Sequence, residues 1–289
     1  MPLNHSVVGR TAGPATCGWT ADDALLYALG VGAGQDDPAD ELPLTTENTA
    51  GVRQQILPTY AIVTTQRATG LAIDLGDFDR AGLVHAEQGL TLHRPLPVAG
   101  QVRLSSVVTG LADKGSGALV TVETTGCDPS TGTPMFTSVS AQFIRGEGGF
   151  GRAPGPAAAG WTLPGSAPDV QVIATTRPDQ ALLYRLCGDR NPLHSDPAFA
   201  ARGGFPRPIL HGLCTYGITA RVLLRALGAA AEQLISINGR FTRPVFPGDR
   251  LMVSAWHRGA GSFLFRTVNG DGVVVLDRGE LTISDTVPR

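Results

Sequence analysis

The segment DDALLYALG, residues 22–30, returns as DQALLYRLC at residues 179–187. A second pair follows in the same order: LPTYAIV, residues 57–63, and LCTYGIT, residues 213–219. A third sets HRPLPVAGQVRLSS, residues 93–106, against TRPVFPGDRLMVSA, residues 242–255, with Arg94 falling on Arg243. Three anchors in one order with slowly drifting offsets mean that the chain holds two copies of one unit. Between the copies, GEGGFGRAPGPAAAGWTLPGSAPD, residues 146–169, is rich in Gly, Pro and Ala and has the composition of a linker. The expected division is a first unit over residues 1–145, a linker over 146–170 and a second unit over 171–289.

Each copy reads as helices first and strands afterwards. In the second, PDQALLYRLCG spaces its apolar residues as a short helix over about 178–188. ILHGLCTYGITARVLLRALG is a longer, more apolar helix, expected to be mostly buried with Arg221 and Arg225 on one wet edge. ISINGRFTRP, RLMVSAWHR, SFLFRTVN and VVVLDRGELTIS then alternate with Gly, Pro, Asn and Asp, as antiparallel strands do. The first copy repeats this with LTLHRPL, QVRLSSVVTGL, ALVTVETTGC and PMFTSVSAQFIR. The fold class is therefore α+β, each unit a sheet with one long helix to cover it.

Composition narrows the function. The 289 residues are 42% apolar and only 17% charged, with a net charge of -2, so no broad basic surface for nucleic acid is expected. Four cysteines lie far apart with no CxxC spacing, which suggests neither a zinc site nor a disulfide framework and fits a reducing compartment. The N-terminus lacks the apolar core of a signal peptide. The longest apolar stretch, residues 209–231, is interrupted by His211, Arg221 and Arg225, so a cytoplasmic protein with no membrane span is expected.

The chemistry concentrates in YRLCGDRNPLHSDPAF, residues 184–199. Pro192 disfavours a helical Asn191, and SDP reads as a new helix start with Ser195 or Asp196 as cap and Pro197 in the first turn. Asp189, Asn191 and His194 thus share a tight loop between two helices. The bland alternative is that Asp189 and Asn191 cap backbone groups while His194 is solvated. The first copy weighs against it, because Val31, Gly32, Ala33 and Gly34 stand there without the polar groups. Gly212, near the start of the long helix, offers a bare backbone amide to a developing oxyanion, where the first copy has Gln55 and Ile56. A carboxylate, an imidazole and an amide donor, with no activated Ser or Cys, describe proton transfer and water addition. Cys187 reads as a small core residue, His85 and His93 as structural or rim residues, and the spacing of His194 and His211 matches no common metal site.

YRLCGDRNPLHSDPAFA closely resembles the signature of type 2, (R)-specific enoyl-CoA hydratases of the MaoC-like dehydratase family. The likeness continues through YALGVGA (27–33), LVHAEQ (83–88), RGEGGFG (145–151), FPRPILHGLCTYG (205–217) and RFTRPVFPGD (240–249). The family motif often has Ser or Thr where this chain has Cys187. The resemblance implies a double hotdog fold, a homodimer, and no cofactor beyond the CoA of an acyl-CoA or acyl-carrier thioester substrate. It also implies that Asp189 and His194 hold and activate water, that Asn191 orients them and that the Gly212 amide receives the thioester oxygen. The first unit would be degenerate and make room for the acyl chain. Arg207, Arg243 and His211 are further candidates for substrate contacts. A hotdog thioesterase and a non-catalytic acyl-thioester binding module are the alternatives.

Overall fold

A computed structural model of the chain describes residues 3–151 and 161–285. The ten strands form one antiparallel sheet that splits by sequence into two halves. The first unit supplies β1 (Thr11–Trp19), β2 (Leu83–Leu92), β3 (Gly100–Asp113), β4 (Gly117–Cys127) and β5 (Pro134–Arg145). The second supplies β6 (Val170–Thr175), β7 (Leu234–Phe241), β8 (Arg250–Gly259), β9 (Ser262–Asn269) and β10 (Val274–Ile283). Their order is β1-β3-β4-β5-β2-β7-β10-β9-β8-β6, the same path traced twice about a central seam. At that seam β2 pairs with β7 from Glu87 opposite Arg240 to Thr91 opposite Ser236. β1 and β6, one before each unit's first helix, are the two edges that the helix-then-strand reading did not contain. Pro14 inside β1 is tolerated there because an edge strand has backbone N–H groups with no ladder partner.

Among the described residues six α-helices accompany the sheet: α1 (Ala21–Gly30), α2 (Leu42–Thr45), α3 (Tyr60–Arg67), α4 (Gln180–Tyr184), α5 (Pro197–Arg202) and α6 (Gly212–Ala226). The start of α1 is fixed by a reciprocal cap in which Thr20 accepts from the Asp23 amide and Asp23 accepts from the Thr20 amide. In α6 every residue from Leu213 to Leu224 is buried, including Arg221, which overturns the expected wet edge. The Arg221 Nε–H donates to the Val31 carbonyl at 2.9 Å and its Nη1 pairs with Glu41, so the charge is neutralised inside the protein by the other unit. Only Arg225 reaches solvent, paired with Asp40 at 2.7 Å.

The first unit's counterpart, α3, is eight residues rather than a long helix. Pro58 stands where α6 has Cys214, so the chain turns helical only at Tyr60, and Ala68 adopts an extended conformation after Arg67. One apolar core runs through both units, from Trp19, Tyr27 and Tyr60 to Tyr184, Tyr216 and Phe265. Residues 152–160 of the expected linker lie outside the described residues. The remainder is anchored: the Gly149 and Gly151 amides donate to Asp113, and Trp256 donates to the Ser166 carbonyl at 3.0 Å.

Candidate active site

After α4 the chain makes one 3-10 turn to Cys187 and then Gly188, whose φ of +146° suits only glycine. A Cβ there would also sit 2.7 Å from Arg67 Cγ, so the loop crosses tightly over the end of α3. The next residues fold by side-chain capping. Asp189 Oδ1 accepts from the Asn191 amide at 3.1 Å, and Asn191 Oδ1 accepts from the Leu193 amide at 3.0 Å, closing a 3-10 turn over Pro192–His194. Asp196 caps α5 by accepting from the Ala198 and Phe199 amides, with Pro197 in the first turn as the sequence predicted. Capping of backbone groups by Asp189 and Asn191 is therefore real, but it coexists with a His194 that is only 8% exposed. The turn swings the imidazole inward.

His194 Nδ1 lies 2.9 Å from the Ile209 carbonyl, which can only accept, so Nδ1 carries the proton and Nε2 the free lone pair. His211 is fixed the same way, its Nε2–H donating to the Asp189 carbonyl at 3.3 Å. The two rings stack with centroids 3.7 Å apart. Burial holds both below the ordinary histidine range; the bond to Ile209 and the Asp189 charge partly offset this for His194, while His194 itself lowers His211 further. Both imidazoles are thus neutral at pH 7, and His194 keeps a basic nitrogen.

A cavity of about 300 Å³ opens beside these groups. The second unit contributes Asp189, Asn191, His194, Gly212 and Arg243, which brings together the loop and the helix start that the sequence singled out. Gly212 is the first residue of α6, where amides have no acceptor within the helix; a Cβ on it would come 3.3 Å from the Phe241 ring. Two other candidates fall elsewhere. His211 lies behind His194 and is not a cavity wall. Arg207 is outside too, its guanidinium over the Phe246 ring at 4.7 Å and donating to the Pro247 carbonyl.

The first unit forms much of the opposite wall, through Gln66, Leu83, His85, Gln142 and Arg145. Gln66 Nε2 reaches Asp189 Oδ2 at 3.4 Å. His85, read from sequence as a structural or rim residue, packs edge-on against Phe241 and bonds the Glu87 carbonyl through Nε2 at 3.1 Å. Burial pushes its pKa down to about 4, against the Glu87 bond and the Asp189 charge, which pull it up. These residues belong to the half without the polar motif, and their only sequence signal was LVHAEQ and the arginine of RGEGGFG. Cys187 is buried as expected, its thiol pushed up to about 12 by desolvation, which removes it as a nucleophile.

Asp189, His194 and His211 have ligand-type atoms within 4.8 Å of one another. The stacked imidazoles direct their in-plane lone pairs along nearly parallel planes, a poor geometry for sharing one ion at ~2.1 Å, and each ring already spends one nitrogen on a backbone carbonyl.

At the matching turn of the first unit, Gly32 and Gly34 have positive φ, and Arg221 Nη2 would be 3.3 Å from a Cβ on Gly32. The guanidinium of α6, bonded to Val31 and Glu41, thus packs directly against Gly32, the position that matches Asp189 in sequence.

Fold and site together define a duplicated α+β protein with a carboxylate–imidazole cavity lined by both of its halves. Residues 161–278 match the model of the MaoC like domain, and residues 18–146 that of the MFE-2 hydratase 2 N-terminal domain. A relative in Mycobacterium tuberculosis, 3-hydroxyacyl-thioester dehydratase Y, is 46% identical over 96% of this chain and 98% of its own. Among solved structures, a MaoC-like dehydratase from Phytophthora capsici superposes with a TM-score of 0.86 at 29% identity, covering all of both chains. A Mycobacterium tuberculosis protein described as a double hotdog shares the fold at a TM-score of 0.57 and 16% identity over 96% of each chain. The chain belongs to the family of MaoC-like dehydratases and type 2 enoyl-CoA hydratases, and its fold is the double hotdog.

Proposed function

We propose that the protein adds water across the double bond of trans-2-enoyl-CoA to give (R)-3-hydroxyacyl-CoA, and catalyses the reverse dehydration. The observation that carries this is the convergence of a carboxylate, a neutral imidazole with a free Nε2 and the bare start of α6 on one cavity. Hydration forms a bond from the water oxygen to C3 and a bond from a proton to C2, while electron density passes through the thioester oxygen. Asp189 and His194 hold the water between them, accept one proton from it and return one to C2. Asn191 acts through the turn it caps, which fixes the distance between that pair. The Gly212 amide, at the positive end of α6, stabilises the thioester oxygen as charge accumulates there.

The thioester is its own electron sink, so the reaction needs no cofactor or metal. Arg243, exposed at the cavity edge, suits the phosphates of CoA or of a carrier-linked pantetheine. Its counterpart Arg94 is tied to Asp128 at 2.7 Å, whereas Arg243 makes no ion pair among the described residues. The first unit's wall would receive the acyl chain. Homodimeric assembly and a cytoplasmic location complete the proposal. No helix among the described residues is long and apolar enough to cross a membrane.

The test is to incubate the purified protein with crotonyl-CoA while following loss of the enoyl chromophore, free thiol and product chirality. The proposal expects loss of the chromophore, (R)-3-hydroxybutyryl-CoA and no thiol. Free CoA would identify a thioesterase, and tight binding without turnover a binding module.

A further inference from the structure

We propose that the Thr215 hydroxyl is the second hydrogen-bond donor, beside the Gly212 amide, to the thioester oxygen of the substrate; this rests on the hydration reading above. Thr215 lines the catalytic cavity, is 2% exposed, and its Oγ1 is shielded from water without any hydrogen-bond partner among the described residues. A buried hydroxyl left unpaired is costly, and native proteins seldom carry one without a ligand, a water or a functional reason to satisfy it.

The duplicated unit supplies an internal comparison. Thr59 stands at the position of Thr215, and Tyr27 at that of Tyr184. In the first unit the pair is closed, Tyr27 Oη donating to Thr59 Oγ1 at 2.9 Å in the core. In the second unit no bond joins Tyr184 to Thr215; the Tyr184 ring packs instead against His211, centroids 4.8 Å apart. The threonine is thus spent on packing in the half without the polar motif and left available in the half that has it.

Position supports the role. Thr215 is three residues after Gly212, on the same helix face and ~4.5 Å further along the axis. Helical side chains lean toward the N-terminus and cover the turn before their own Cα. The Thr215 side chain therefore leans over the patch that Gly212 leaves bare, where an oxygen accepting the Gly212 amide would lie. Staggered χ1 positions exchange its hydroxyl and methyl over that patch.

Thr215→Val keeps the shape and removes the hydroxyl; Thr215→Ser keeps the hydroxyl. With crotonyl-CoA, Thr215→Val is expected to lose ~10²-fold in kcat with KM little changed, as loss of one oxyanion donor does. Thr215→Ser is expected to stay within roughly tenfold of wild type in kcat, well above the valine variant, and the free Thr215→Val protein is expected to melt no lower than wild type, because an unpaired hydroxyl has been removed. A Thr215→Val enzyme with wild-type kcat, a loss confined to KM, or a loss accompanied by a lower melting temperature would overturn the assignment. An active wild type with an equally active valine variant sinks Thr215 alone, whereas an inactive wild type sinks the hydration reading with it.

Discussion

Arg221→Met removes a buried cation far along α6 from the reacting groups, and its consequences can be worked out from its partners. The Arg221 and Glu41 side chains are 8% and 9% exposed, and Arg221 also donates to the Val31 carbonyl. Without the guanidinium, Glu41 keeps only Arg225 at 3.7 Å and a 3.4 Å bond from the Gly34 amide. Breaking a buried ion pair by removing one partner costs ~3–5 kcal/mol. At about 2 °C per kcal/mol for a chain of this size, the melting temperature should fall by roughly 6–10 °C. In the double variant Glu41→Gln with Arg221→Met no charge is stranded, so more than half of the loss should return. Calorimetry of the two single variants and the double variant measures the coupling, with hydration rates well below the melting point as control. Those rates should hold, since Arg221 is not a wall of the cavity that holds Asp189 and His194. A single Arg221→Met variant within 1 kcal/mol of wild type, or a double variant no better than the single, would refute the claim that Arg221 and Glu41 neutralise each other inside the protein.

Two further outcomes follow from the site. The pKa values of His85, His194 and His211 are depressed by burial, so below about pH 6.5 the unfolded chain binds protons that the native protein refuses. Stability is full above that value and is lost as pH falls toward the folded pKa values, by up to ~1.4 kcal/mol per pH unit for each histidine; urea unfolding from pH 7.5 to 5 reads the slope, and a flat profile contradicts burial in the neutral form. Gly188→Ala forces a side chain into a φ of +146° and toward Arg67, so the Asp189 loop must move. Its kcat should fall at least tenfold while most of the structure stays folded by circular dichroism, and wild-type kcat would show that the loop tolerates displacement.

The duplication was legible in sequence because both copies keep the same packing residues, Tyr27 and Tyr184, Tyr60 and Tyr216. The loop that carries Asp189, Asn191 and His194 was legible because its turn chemistry is local: Asp189, Asn191 and Asp196 each bond amides two or three residues away. What escaped depends on contacts distant in sequence. His85, Gln142 and Arg145 reach the cavity only because β2 and β5 are brought there when β2 pairs with β7, and no local pattern marks that seam. Arg221 misled because a charge at helical spacing suggests solvent, while its partner Glu41 lies 180 residues away. The shortness of α3 was signalled by Pro58 and hidden by the similarity of LPTYAIV to LCTYGIT. The edge strands β1 and β6 precede the helices, outside the helix-then-strand order, and the alternation of β1 is confined to Ala15–Trp19 after Gly13 and Pro14.

The central claim is that Asp189 and His194 handle the water. Steady-state hydration of crotonyl-CoA by Asp189→Asn and His194→Gln, each confirmed to melt near wild type, tests it most directly. Each should lose ~10²–10⁴-fold in kcat, the range for a positioned acid–base group. Wild-type rates in either folded variant would contradict it.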